Sequence, residues 1–146
     1  MRLEGKREFA APREAVFEAL TDPELVAGSI PALEGLEVTD RDHWTATVKV
    51  PIAPRLRVHF ELLDRRLPEH ARLRAHGKSF ASSATFDTSF DLTEQNGLTS
   101  MRYDAQFSLS GLLGRVGEHV LRPIAERQVD KLFRAVESRV GSVRER

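Results

Sequence analysis

Three polar residues of the sequence could act on a bound molecule: Thr88, Tyr103 and His119. Thr88 and Tyr103 alternate with polar neighbours along predicted strands, which places both on the apolar side of a sheet. A hydroxyl there could orient a ligand carbonyl or hydroxyl; alternatively, Tyr103 packs its ring inside and hydrogen-bonds at the rim. His119 could act as a general acid or base if it faced a cavity, and is otherwise a solvated helix residue.

Metal and nucleophile chemistry have little support in the residue pattern. His70 and His76 are six residues apart on one predicted strand, too far to hold one ion, and no two histidines have the helical i, i+4 spacing. The chain has no cysteine, and its serines lack a nucleophile-elbow pattern. Gly111, Gly114 and Gly117 follow no nucleotide-binding strand. We therefore expect no metal, no cofactor and no catalytic residue.

Length and charge exclude further classes of protein. The chain has 146 residues, 40% of them apolar, which predicts one domain over residues 1–146. Lys and Arg total 22 and Asp and Glu total 22, whereas nucleic-acid modules usually carry a basic excess. No apolar run approaches the ~18 residues needed to cross a bilayer. We expect a cytoplasmic protein that binds no nucleic acid and contacts membranes at most transiently.

The first part of the chain reads as a strand, two short helices and then a run of strands. Residues 3–10 predict a strand, and Pro12 precedes a short amphipathic helix. Asp22 and Pro23 predict the N-cap and first position of a second helix. From Leu36 onward apolar and polar residues alternate, which predicts about six antiparallel strands with one wet face and one apolar face.

The last part of the chain returns to helical spacing. Apolar residues recur through residues 113–140 and predict a long helix that covers the apolar face of the sheet. Pro123 lies inside this pattern, where it removes a backbone hydrogen bond, so we expect a kink or restart near Leu121.

The apolar face is the predicted ligand site, and a solid core is the alternative. The predicted lining residues are Trp44, Val48, Val58, Phe60, Leu73, Phe86, Thr88, Phe90, Met101, Tyr103, Phe107, Val116 and Val120. Connections at 51–54, 77–83 and 110–114 should meet at one end of the sheet, beside the start of the last helix. We predict the mouth of the cavity there.

Charged residues on the wet face predict how the strands pair. The predicted cross-strand rows are Glu61, Arg74 and Asp87, and His70, Asp91 and Arg102. Each exposed pair contributes at most about 1 kcal/mol, so these pairs mainly define the register. The zero net charge is then explained by acidic and basic side chains that pair with one another on the outer surface. We expect the function to lie in the interior.

Several short motifs carry a resemblance to known proteins. They are Leu3-Glu4-Gly5, residues 11–17, Asp22-Pro23-Glu24-Leu25 and Ile30-Pro31, with support from Val48-Lys49-Val50, Gly77, Tyr103, Gly111-Leu112 and Phe133. With the order of elements, they resemble the START-like or helix-grip superfamily of lipid-transfer domains, polyketide cyclases and birch-pollen-allergen-like proteins. The most specific resemblance, over nearly the whole chain, is to the G-subunit family of carbon monoxide dehydrogenase accessory proteins.

The resemblance implies an α+β helix-grip fold, in which a curved seven-stranded antiparallel sheet (β-α-α-β6-α) wraps around a long C-terminal helix. It implies a non-catalytic carrier of a small apolar or amphipathic ligand, such as a lipid, quinone or aromatic molecule. It also implies an accessory role beside a carbon monoxide dehydrogenase-like metalloenzyme. Two alternatives stay open: a polyketide cyclase-like enzyme using Tyr103, Thr88 or His119, and a packed interaction protein without a ligand.

Overall fold

Seven strands and three α-helices make up the part of the chain that the structure describes. The computed structural model describes residues 1–30, 33–50, 53–79 and 82–141. The strands are β1 (Arg2–Phe9), β2 (Leu33–Asp40), β3 (His43–Val50), β4 (Ala53–Arg66), β5 (His70–Lys78), β6 (Ser82–Gln95) and β7 (Leu98–Gly111). The helices are α1 (Arg13–Leu20), α2 (Pro23–Gly28) and α3 (Glu118–Val140), with a short 3-10 turn at Leu113–Arg115.

The strands form one antiparallel sheet in the order β1-β7-β6-β5-β4-β3-β2. Helices α1 and α2 carry the chain from β1 at one edge to β2 at the other, and each later strand pairs with the one before it. Asn96 and Gly97 turn β6 into β7 with positive φ angles of 54° and 79°, as a two-residue hairpin loop requires. The predicted helix-grip fold, a curved sheet with a long C-terminal helix, is confirmed.

The strand register agrees with the rows predicted from charge. Glu61 lies opposite Arg74, which lies opposite Asp87. In the second row Asp91 lies between His70 and Arg102. Arg74 forms an ion pair with Asp87 at 3.3 Å, and Nδ1 of His70 lies within hydrogen-bond distance of the Asp91 carboxylate, at 2.7 Å.

Helix α3 packs one apolar stripe against the inner face of the sheet. Its buried residues are Ala125, Val129, Phe133 and Val136. The Phe133 ring meets Phe90 and Tyr103 edge-on, with ring centroids 6.4 and 4.9 Å apart. The guanidinium of Arg7 lies 5.7 Å from the Phe133 centroid and pairs with Asp130 and Glu137 of α3. Aromatic packing and ion pairs therefore hold α3 to β1, β6 and β7.

The terminal helix begins later than the apolar spacing predicts. Gly117 is its N-cap, and the helix runs from Glu118 through Pro123, so the break in the helical pattern comes before the position near Leu121 where a restart was predicted. Glycines weaken helix propensity in the segment before Gly117, which explains the late start. Beyond Pro123, burial of the apolar stripe stabilises the helix despite the missing backbone hydrogen bond. None of the helices in the described residues is long and apolar enough to cross a membrane.

The N-terminus of α2 is held by Asp22 in two ways, which confirms the predicted cap. One carboxylate oxygen accepts a hydrogen bond from the backbone nitrogen of Glu24 at 3.0 Å, and Pro23 follows at the first helical position. The other oxygen accepts from Arg139 at 2.6 Å. Asp22 therefore fixes α2 relative to the last turn of α3.

Replacing Asp22 by alanine removes both contacts, and we expect it to lower the free energy of unfolding by about 1–2 kcal/mol. The Asp22→Asn variant keeps a capping oxygen but loses the charge facing Arg139, so it should lose less than about 1 kcal/mol. Urea unfolding of the three proteins measures both values. Equal losses in the two variants would show that the cap contributes nothing.

Asp87 links stability to pH. Hydrogen bonds from Arg72, at 3.0 and 2.8 Å, and from Arg74 hold the pKa of Asp87 below its ordinary value of 3.8. A lowered carboxyl pKa contributes stability above the unfolded-state value, and this contribution is lost as the pH falls through the folded-state value. We therefore expect Asp87→Asn to be less stable at pH 7 by about 0.5–1 kcal/mol.

The difference between the wild type and Asp87→Asn should begin to shrink below about pH 4 and keep shrinking as the pH falls through the lowered pKa of the folded-state carboxyl, since the protonated acid and the amide are both neutral. Chemical denaturation across this pH range measures it. A difference that stays constant down to pH 2 would contradict the assigned ion pairs.

Candidate ligand-binding cavity

A cavity of about 170 Å³ lies between the inner face of β4–β7 and the helices α2 and α3. Its floor is built from two neighbouring cross-strand rows. The first row consists of Phe60, Ala75, Phe86 and Phe107. In the second row Leu73 lies opposite Thr88, and Val58 of β4 extends the floor beyond the first row. Strand alternation thus points these side chains to one side of the sheet.

The roof of the cavity comes from the end of α2 and the middle of α3. The lining residues there are Val26, Ser29, Ile30, Gln128, Val129 and Leu132. The Gln128 amide nitrogen donates to the backbone oxygen of Ser29 at 3.2 Å and lies 3.4 Å from its hydroxyl oxygen. The Ser29 hydroxyl donates to the backbone oxygen of Val26 at 2.8 Å. These hydrogen bonds fasten the end of α2 to α3 above the cavity.

The lining is almost entirely apolar. None of the described side chains in it is charged, and the polar ones belong to Ser29, Thr88 and Gln128. Thr88 is 2% exposed, and its hydroxyl forms no hydrogen bond with any residue in the described part of the chain. The cavity therefore combines an apolar interior with one unpaired hydroxyl.

Aromatic residues bound the cavity on two sides. Phe90, Tyr103 and Phe133 form a cluster next to the Thr88 row. The Tyr103 hydroxyl lies over Gly5, where an added Cβ would come within 2.9 Å of its oxygen. Burial raises the pKa of Tyr103 above its ordinary value of 10. The Tyr103 phenol is therefore neutral at pH 7, and its ring packs against Phe133 outside the cavity lining.

On the β3 side the Trp44 ring stacks on Phe60, with centroids 5.5 Å apart and ring planes 10° apart. Trp44 is 1% exposed, and its indole nitrogen has no hydrogen-bond partner among the described residues. Because Phe60 lines the cavity and Trp44 stacks on it, the single tryptophan of the chain lies one ring away from the cavity.

The structure brings six of the thirteen predicted lining residues to this cavity. They are Val58, Phe60, Leu73, Phe86, Thr88 and Phe107. Trp44, Val48, Phe90 and Met101 are buried in the surrounding core. Tyr103 packs on Phe133, as described above.

Val116 and Val120 are not brought to the cavity. Val116 precedes α3, and Val120 is 46% exposed. Val120 lies nine residues before Val129, which is two and a half helical turns, so the two side chains leave opposite sides of α3. His119 lies on the exposed first turn with its ring beside Gly117, and it does not line the cavity.

Sequence reasoning missed the roof of the cavity. Val129 and Leu132 belong to the apolar stripe of α3, and Ile30 belongs to the Ile30-Pro31 motif. The sequence therefore marks these three residues as apolar, but it does not show that they meet above the sheet. Gln128 carries no such signal, because a glutamine beside an apolar stripe is ordinary on a helix surface. Its role depends on the contact with Ser29, which is distant in sequence.

The connections predicted to form the cavity mouth lie partly outside the described residues, at 51, 52, 80 and 81. The strand pairing puts the neighbouring positions at one end of the sheet, since Ser82 pairs with Gly111 and Val50 with Ala53. No described residue of these connections lines the cavity, so the mouth stays a prediction. Among the described residues, no group of three or more acidic or histidine side chains could hold a metal ion.

Similarity to solved structures supports the same fold. A conserved protein from Geobacillus kaustophilus matches with a TM-score of 0.84 and 20% identity, over 94% of this chain and 93% of that one. A START superfamily protein from Mycobacterium smegmatis matches with a TM-score of 0.71 and 14% identity, over 95% and 96%. Ara h 8.0201 matches with a TM-score of 0.67 and 15% identity, over 94% and 95%.

Similarity at the level of sequence families is more specific. No curated protein matches the chain. The model of the carbon monoxide dehydrogenase G-subunit family (CoxG) matches residues 5–141, which is nearly the whole chain and includes every element around the cavity. The chain therefore belongs to the CoxG family of carbon monoxide dehydrogenase.

Proposed function

We propose that this protein is a non-catalytic carrier that holds a small apolar or amphipathic molecule, such as a lipid, quinone or aromatic compound, in the cavity beneath α2 and α3. The observation that carries the proposal is an apolar cavity of about 170 Å³ inside the fold. Protein interiors are packed densely and contain few voids larger than a water molecule. START-like and birch-pollen-allergen-like folds commonly bind hydrophobic ligands, which supports the same assignment.

The alternative of a cyclase-like enzyme receives less support. Acid–base chemistry on a bound substrate needs several polar groups that converge on it. Of the three candidates, Thr88 lines the cavity, Tyr103 lies over Gly5, and His119 lies on the exposed first turn of α3. A packed interaction protein is also disfavoured, because the cavity leaves the interior incompletely filled.

Family membership adds a proposal about partners. Because the CoxG family is named as a component of carbon monoxide dehydrogenase, we include an accessory role beside such a metalloenzyme in the proposed function. A cytoplasmic location stays a prediction.

A larger side chain placed in the cavity should abolish ligand binding without a large change in the free energy of unfolding. Ala75 lines the cavity, whereas Ala71, on the same strand and face, is 1% exposed in the packed core. We expect Ala75→Leu to change the free energy of unfolding by less than about 1 kcal/mol and to abolish binding of an apolar dye. The matched control Ala71→Leu should cost about 1–3 kcal/mol through overpacking. If Ala75→Leu costs as much as the control and still binds dye, the cavity is not the binding site.

A bound ligand should also be detectable directly. We expect native mass spectrometry of the purified protein, or organic extraction followed by mass analysis, to find a small neutral molecule that Ala75→Leu lacks. A neutral apolar dye should be displaced by that molecule from the wild type. If nothing is extracted and no apolar compound displaces the dye, the carrier function is overturned.

A further inference from the structure

We infer that the cavity selects a neutral molecule about the size of one six-membered ring, whose single hydroxyl or carbonyl group hydrogen-bonds to Thr88. This inference rests on the proposed carrier function and narrows its ligand class. It depends on three features of the cavity: its volume, the lack of charge in its lining, and the position of one unpaired hydroxyl.

The volume limits the part of a ligand that can be enclosed. An engineered protein cavity of about 150 Å³ lined by aliphatic and aromatic residues binds benzene. The cavity of this protein has a similar volume, about 170 Å³. One ring with a small substituent therefore fits without rearrangement, whereas a long acyl chain would need the surrounding helices to move.

The lining also limits the charge of the ligand. In the described part of the chain, no Lys, Arg, His, Asp or Glu side chain lines the cavity. Burying an ionised carboxylate or ammonium without a partner is so unfavourable that the group would be neutralised or stay outside. The enclosed molecule is therefore uncharged, which disfavours a buried fatty-acid carboxylate.

The Thr88 hydroxyl marks where the polar group of the ligand binds. Thr88 lies on β6 between Phe86 and Phe90, and its hydroxyl has no partner among the described residues. Buried hydroxyls in proteins are nearly always hydrogen-bonded, and valine has the same shape and strand preference without the cost of an unpaired hydroxyl. A ligand oxygen is the partner that would account for a threonine at this position.

The other polar groups of the lining leave Thr88 as the main contact. The Gln128 amide nitrogen and the Ser29 hydroxyl both donate hydrogen bonds within the roof, to backbone oxygens of the α2 segment. Thr88 can both donate and accept a hydrogen bond, so a ligand carbonyl or hydroxyl would satisfy it.

Phenol and toluene test the inference, because they differ only by a hydroxyl in place of a methyl group. NMR titration of the wild type, Thr88→Val and Thr88→Ser at pH 7 gives the dissociation constants, with Trp44 fluorescence as a second readout. We expect Thr88→Val to weaken phenol binding about 3- to 10-fold while toluene binding stays within about 2-fold. Thr88→Ser should bind phenol as the wild type does, which controls for a general disturbance of the fold.

Benzoate and dodecanoate complete the panel. We expect benzoate to bind at least about 10-fold more weakly than phenol because of its charge. If Thr88→Val affects phenol and toluene equally, or neither, the role of Thr88 is overturned. If dodecanoate binds while phenol and toluene do not, the ring-sized ligand is overturned and the carrier function stands. If none of the probes binds and no dye is displaced, both proposals fail.

Discussion

The sheet is wider than a single helix can cover, and the rest of the architecture follows from this mismatch. Seven strands spaced about 4.8 Å apart span roughly 29 Å, whereas a helix with its side chains is about 10–12 Å across. Helix α3 can therefore bury only part of the apolar face directly. Curvature of the sheet and the short helices α1 and α2 cover the remainder. The cavity lies where α2 and α3 together cover the inner face of β4–β7.

Two kinds of contact keep this arrangement in place. On the β1 and β7 side, Phe133 packs against Phe90 and Tyr103 while Arg7 bridges α3 to the sheet, so one flank of α3 is solidly packed. On the other flank, Gln128 fastens the end of α2 by hydrogen bonds and leaves apolar space underneath. The cavity lies on the side of α3 where hydrogen bonds to α2, and not aromatic side chains, fill the gap above the sheet.

Charged side chains are kept away from the cavity, and this separation supports a binding function in the interior. Arg72, Arg74 and Asp87 satisfy one another on the wet face. Among the described residues, the cavity lining lacks charge, and its polar side chains carry hydroxyl and amide groups. Such an interior favours recognition by shape and by one hydrogen bond, and it offers little for acid–base catalysis.

The sequence alone determined the fold, the strand register and every residue of the cavity floor except Ala75. Alternation with period two is local information, and it placed Phe86, Thr88 and Phe107 on one face, while the charged rows defined which strand residues lie opposite one another. The family resemblance could also be identified from the sequence alone, because its motifs are short and contiguous.

Only the tertiary structure decided where the empty space lies. Trp44, Met101 and Phe86 lie on one face of the sheet and alternate with polar neighbours in the same way. Of these three, only Phe86 lines the cavity. The reason is that the lining consists of the side chains that α2 and α3 leave uncovered. The start of α3 was decided by glycine-weakened turns competing with packing beyond Pro123. Val120 faces outward because it lies two and a half helical turns before the buried Val129. Long-range packing geometry of this kind has no signature in local periodicity.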